Sequence, residues 1–143
     1  MKSEKLILQK IVDEMMKEDR FSKWLGITIV KIDFGYSLLR MKVKNEMLNG
    51  FEICHGGVIF SLADSALAFA SNSYGKMGLS ISNNISFITK AHENDELTAE
   101  AKEISRTNKI SSYRVEIVNQ RKELVASFNG TVYLTKKNHL EKL

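Results

Sequence analysis

The apolar positions along the chain change period several times, and each change marks an element. Residues 4 to 18 place Ile7, Ile11, Val12, Met15 and Met16 at three- and four-residue intervals, the period of an amphipathic helix. Phe21, Trp24 and Leu25 make a second short turn that ends at Gly26, so residues 1 to 26 read as an N-terminal helical segment. From there the pattern is that of strands. Residues 27 to 34 and 36 to 44, rich in branched and aromatic side chains, flank Gly35 and predict a hairpin. Residues 57 to 74 exceed the length of an ordinary strand, and Gly75 stands where a helix C-cap would, so this segment predicts the main helix. Strands return at 79 to 89, 96 to 105, 112 to 118 and 124 to 134, with turns at 91 to 95, 106 to 109 and 119 to 123.

Two strands, one long helix and four more strands on short connections leave no crossover helix between successive strands. A parallel βα repeat is therefore excluded. The expected architecture is an α+β domain in which an antiparallel sheet wraps around one long central helix, with an N-terminal helix. A chain of 143 residues is expected to be one domain over 1 to 143, large enough to bury about two thirds of its unfolded surface.

Composition changes this picture little. The chain is 43% hydrophobic and 27% charged, as ordinary globular domains are. Its single cysteine, Cys54, permits no internal disulfide, and the expectation is a reducing, cytoplasmic setting. Charges at Lys5, Lys10, Asp13 and Glu14 break up the N-terminal apolar residues, so neither a signal peptide nor a membrane segment is expected. The net charge of +4 is scattered, with no aromatic and basic interleaving, so nucleic acid is not an expected partner. His55, His92, His139 and Cys54 lack the spacing of a zinc site, and no metal is expected.

Candidate chemistry concentrates in the main helix. At about 100° per residue, Val58, Ile59, Phe60, Leu62, Ala63, Ala66, Leu67, Phe69 and Ala70 cover a wide apolar arc. The remaining arc holds Ser61, Asp64, Ser65, Ala68 and Ser71, small residues around one carboxylate. Two readings of Asp64 stand open: a surface acid, or an acid in a partly buried cleft where desolvation tunes its basicity. Gly56 and Gly57 likewise make either a tight turn or a carbonyl-polarising helix start, where unpaired N–H groups meet the positive end of the dipole. His55 reads as a turn cap or a site residue, and Asn49 as an Asn-Gly turn or a catalytic amide. Cys54 is a poor nucleophile candidate beside His55, since adjacent side chains seldom aim at one point. Eight residues separate Gly56 from Asp64, about 12 Å along a helix. Reacting groups must come within about 3 Å of one another. If both act on one bond, the site needs two chains with their helices side by side and antiparallel, as in a two-fold homodimer.

The segments MLNG at 47 to 50, HGG at 55 to 57, LADSA at 62 to 66, LSISNNISF at 79 to 87 and VASFNGTVYL at 125 to 134 resemble the hotdog-fold acyl-CoA thioesterases of the phenylacetic acid degradation type. The resemblance implies hydrolysis of acyl-CoA thioesters by a homodimer, or a dimer of dimers, with no cofactor beyond the coenzyme A of the substrate. It places the thioester carbonyl on the Gly56 N–H, with His55 and Asn49 shaping the site and Gly57 beside it. Asp64 of the opposite subunit then serves as general base or nucleophile, and Ser80 helps orient the water or carboxylate. Arg106 and Lys109 are candidates for the nucleotide end of coenzyme A. The alternatives on the same fold are an acyl-thioester hydratase or dehydratase and a non-catalytic acyl-CoA-binding protein. This chain lacks the proline that such relatives often carry in the turn after the LSISNNISF strand.

Overall fold

The structure, a computed structural model, describes residues 1 to 142 and holds one chain without ligands. Helix α1 (Lys2–Lys17) and the short α2 (Arg20–Leu25) lead into strands β1 (Thr28–Asp33) and β2 (Tyr36–Lys42). A 3-10 turn (Asn45–Met47) precedes the long helix α3 (Gly56–Asn72). Strands β3 (Lys76–Phe87), β4 (Glu96–Arg106), β5 (Ile110–Val118) and β6 (Leu124–Asn138) follow, and a second 3-10 turn (His139–Lys142) closes the described chain. The six strands form one antiparallel sheet in the order β1-β2-β4-β5-β6-β3.

The inner face of the sheet packs on α3, with small residues among the large ones. Ala99 and Ala101 of β4 and Ala126 of β6 are fully buried, and around them Leu39, Leu97, Val115, Ile117 and Phe128 meet Leu62, Ala63, Ala66 and Leu67 of α3 in one core. Bonds from strand to helix back up this packing: Ser37 Oγ donates to the Ala66 carbonyl at 2.6 Å. Among the described residues no helix is long and apolar enough to cross a membrane.

Several boundaries differ from those expected. The main helix starts one residue earlier, at Gly56, and stops at Asn72, two residues before the predicted end. Ser73, in right-handed geometry, closes it, and the Ser73 hydroxyl donates to the Ala70 carbonyl. Gly75 is not the cap; its φ of 98° turns the chain from the helix into β3, a conformation a side chain would strain. Strand β6 runs four residues past its predicted end, because Leu134 to Asn138 pair with the start of β3.

The N-terminal helices dock from outside. Asp19 caps α2 by accepting the Ser22 N–H at 3.0 Å, Gly26 ends it in left-handed geometry, and Leu25 is buried beneath. The Ser22 hydroxyl lies 2.9 Å from that of Ser65. Thus α2 of the same chain covers part of the small-residue face of α3.

Candidate active site

The segment before α3 is folded back on itself, and this places three of the expected residues at one point. Leu48 and Cys54 form an isolated antiparallel bridge, the Asn49 N–H donates to Ile53 O, and the His55 N–H donates to Met47 O. Asn49 Oδ1 accepts the N–H groups of Phe51 (2.9 Å) and Ile53 (3.4 Å), so its side-chain carbonyl holds this loop together. Among the described residues its amide nitrogen has no hydrogen-bond partner. The tip of the loop, Phe51, projects into solvent.

His55 is the N-cap of α3. Its Nδ1 accepts the Gly57 N–H at 2.8 Å, taking up one of the unpaired donors of the helix start. Val58 and Ile59 donate to the His55 carbonyl. That leaves the Gly56 N–H as the first amide of the helix without an acceptor. It sits at the positive end of a 17-residue helix, a favourable place for a carbonyl oxygen gaining negative charge. A side chain at Gly56 would meet the ring of Phe87, whose Cζ lies 3.0 Å from where a Cβ would stand. Phe87 is the last residue of β3 and is half exposed.

Asp64 lies two turns along the same helix, on the face shared with Ser61, Ser65 and Ala68. Among the described residues its carboxylate makes no hydrogen bond and no ion pair, and it is partly buried. Desolvation alone raises its pKa above the ordinary carboxylate value. A half-buried acid with no partner binds protons more readily than one in water, which is the property a general base near neutral pH requires. Within one chain the helical rise keeps it about 12 Å from the Gly56 amide.

Ser80 stands on the exposed part of β3, where Asn83 Nδ2 donates to its hydroxyl at 2.6 Å. The register of β3 against β6 slips between Ser80 and Ser82, so two residues three apart share one face. Asn83 was missed in the sequence for that reason, since strict alternation separates it from Ser80. Asn83 Oδ1 is buried, has no hydrogen-bond partner among the described residues, and lies 2.7 Å from where a Cβ at Gly130 would stand.

Arg106 and Lys109 lie elsewhere. The Arg106 guanidinium stacks on the Tyr74 ring, 3.6 Å from its centroid, just beyond the C-terminal end of α3. Its Nη1 is buried without a partner. Lys109 is exposed in the β4–β5 turn. The helix separates this end from Gly56 by about 24 Å. Cys54 is buried and donates only a long 3.8 Å contact to the His55 carbonyl. Burial first and the Asp95 charge second push its thiol up to about 11, away from nucleophilic duty. Among the described residues no three His, Cys, Asp or Glu side chains are grouped to hold a metal ion.

Residues 51 to 126 match the family model of the thioesterase superfamily. A putative esterase of Archaeoglobus fulgidus is 42% identical over 89% of this chain and 82% of its own. The acyl-coenzyme A thioesterase PaaI of Escherichia coli K12 is 40% identical over 81% of this chain and 83% of its own. The solved structure of the E. coli PaaI protein superposes with a TM-score of 0.90 at 36% identity, over 92% of this chain and 96% of that one. A hypothetical thioesterase of Streptococcus pneumoniae, solved with coenzyme A, gives a TM-score of 0.76 at 25% identity, over 78% of this chain and 90% of that one.

Proposed function

The chain belongs to the thioesterase superfamily and is a thioester hydrolase with a hotdog fold, and from that premise we propose that it hydrolyses acyl-CoA thioesters at a site shared by two copies. The thioester oxygen accepts the Gly56 N–H of one subunit. Asp64 of the partner subunit takes a proton from water as the water oxygen adds to the carbonyl carbon. The tetrahedral intermediate then expels the sulfur, the C–S bond breaks, and the thiolate takes up the proton, giving free acid and coenzyme A. Direct attack by the carboxylate on the carbonyl is the variant of this scheme that uses the same two groups.

The observation that carries this reading is the pair of unsatisfied groups on α3. An amide with no acceptor and a partly buried carboxylate with no donor among the described residues sit about 12 Å apart, too far for one reacting bond and right for two antiparallel helices. The remaining residues take supporting parts: His55 occupies the Gly57 N–H and so leaves Gly56 as the free donor, Asn49 holds the loop that flanks it, and Ser80 is the hydroxyl on the neighbouring strand.

A second copy has an evident place to bind. Strand β3 is an edge with one side unpaired, 12 residues long, and Leu79 and Ile81 on it are both more than half exposed. A long apolar edge in water is a liability that pairing with an identical edge removes. The fold of α3 along β3 then brings the two helices side by side. We place the nucleotide end of coenzyme A toward Arg106 and Lys109, the cations beyond the C-terminal end of α3.

Complementation tests the shared site. Gly56→Pro removes the N–H at a helix position that tolerates proline, and His55 already has the extended backbone required of a residue before it. Asp64→Asn removes the base. Each variant alone is expected to lose at least a hundredfold in thiol release from acyl-CoA. Mixed subunits contain one intact site and regain activity. Mixtures that exchange subunits yet stay inactive would refute the two-chain site, and an active monomer by hydrodynamic mass would do the same.

A further inference from the structure

The free amide of α3 has an aromatic neighbour that the scheme above leaves idle. The Phe87 ring points its tip at Gly56: from the position of a Cβ there, Cζ is 3.0 Å away, Cε1 3.4 Å and Cε2 3.5 Å. The ring therefore occupies the space a side chain at Gly56 would need, and it does so on the flank of the amide that faces β3. Yet Phe87 is 53% exposed, so its packing against the glycine leaves much of the ring surface open to whatever approaches the N–H. The backbone behind it is anchored: Phe87 pairs with Ala126 of β6, and the next N–H, that of Ile88, donates to the Val125 carbonyl at 2.8 Å. An apolar ring held in this way, half in water, beside an unpaired donor, makes one wall of the approach to that donor.

We propose that Phe87 is a positioning and selectivity residue for the thioester, a steric gate at the Gly56 N–H that admits acyl groups unbranched next to the carbonyl. The inference rests on Gly56 being the carbonyl donor. A hydrogen-bonded carbonyl oxygen lies about 2.9 Å from the amide nitrogen. With the oxygen so placed, the carbon beside the carbonyl passes within van der Waals reach of the ring, where a methylene fits and a branch collides. The same ring excludes water from the amide, so that the bond to the developing oxyanion forms in apolar surroundings. It also explains why glycine stands at position 56: a Cβ there displaces the ring tip by a few tenths of an ångström and spoils both effects.

The experiment compares straight and α-branched acyl-CoAs of equal carbon number, butyryl against isobutyryl, by thiol release. Wild type, Phe87→Ala, Phe87→Leu and Gly56→Ala are assayed, with hydrodynamic mass and thermal melting alongside. The wild type is expected to favour the straight chain in kcat/KM by at least about tenfold, the order that one misplaced methyl group costs in a shaped pocket. Phe87→Ala narrows that ratio about tenfold and lowers kcat on the straight chain, while Phe87→Leu retains most of the discrimination. Gly56→Ala slows the wild type, and its effect largely vanishes in the Phe87→Ala background, since the two changes then share one contact. A change in assembly or folding alone lowers both substrates together and leaves their ratio untouched. An unchanged ratio in Phe87→Ala, or additive effects in the double variant, would overturn the gate while leaving the thioesterase reading intact. Absence of thiol release from every acyl-CoA by the wild type would overturn both.

Discussion

Replacing Asp64 by asparagine separates what this residue does for the fold from what it does for the reaction. The carboxylate is partly buried and, among the described residues, accepts no hydrogen bond and faces no cation, and desolvation is the cause that raises its pKa. Its folded pKa is raised above the unfolded value, so the charged form is the one the fold disfavours. The sign follows: below the unfolded pKa, about 3.9, both forms are neutral and Asp64 costs nothing. As pH rises through the folded pKa, the native state must give up a proton it holds more tightly than the unfolded chain does, and stability falls. Asparagine has the same shape without the charge. At pH 7 the variant is expected to be more stable than the wild type by more than about 0.5 kcal/mol, beyond the usual range for surface substitutions. At roughly 3 °C per kcal/mol for a chain of this size, the melting temperature rises by about 2 °C or more, and the gain disappears near pH 4. Thiol release from acyl-CoA falls at least about a hundredfold over the same range, the loss expected on removing a general base. Calorimetry from pH 4 to 8, paired with a thiol-trapping assay, reads both quantities. A variant less stable than wild type at pH 7 would show that Asp64 has a partner after all, and turnover within tenfold of wild type would remove it from the mechanism.

Two further outcomes follow from the same helix start. His55→Ala frees the Gly57 N–H and is expected to cost about 1 kcal/mol in denaturant unfolding, and His55→Ser recovers most of it because a hydroxyl caps as well; equal losses in both would show that the Nδ1 bond is not what stabilises the turn. Cys54, buried with its thiol pushed up to about 11, is expected to resist alkylation in the native protein at pH 8 and to react at once after denaturation; fast native labelling would mean the loop over it opens.

Near-neighbour effects were readable from the residues alone. The 3.6 period of α1 and α3, the alternation of β4 and β5, the Gly35 hairpin and the absence of crossover helices dictated an antiparallel sheet around one helix, because each of these depends on side chains only a few positions apart. The eight-residue spacing of Gly56 and Asp64 was equally a property of the chain, since a helix converts residue count directly into distance. Contacts between distant segments were not readable. The slip in β3 that turns Ser80 and Asn83 to one face depends on pairing with β6, about fifty residues on in the chain. The cover of Ser65 by Ser22 depends on how α2 docks, which no local pattern encodes. His55 could have been a cap or a site residue until the fold turned its Nδ1 onto the Gly57 amide, leaving Gly56 free. Phe87 gave no signal as one aromatic among several at the end of an apolar strand. Only the packing of the sheet on α3 carries that ring to within contact of a glycine thirty-one positions earlier.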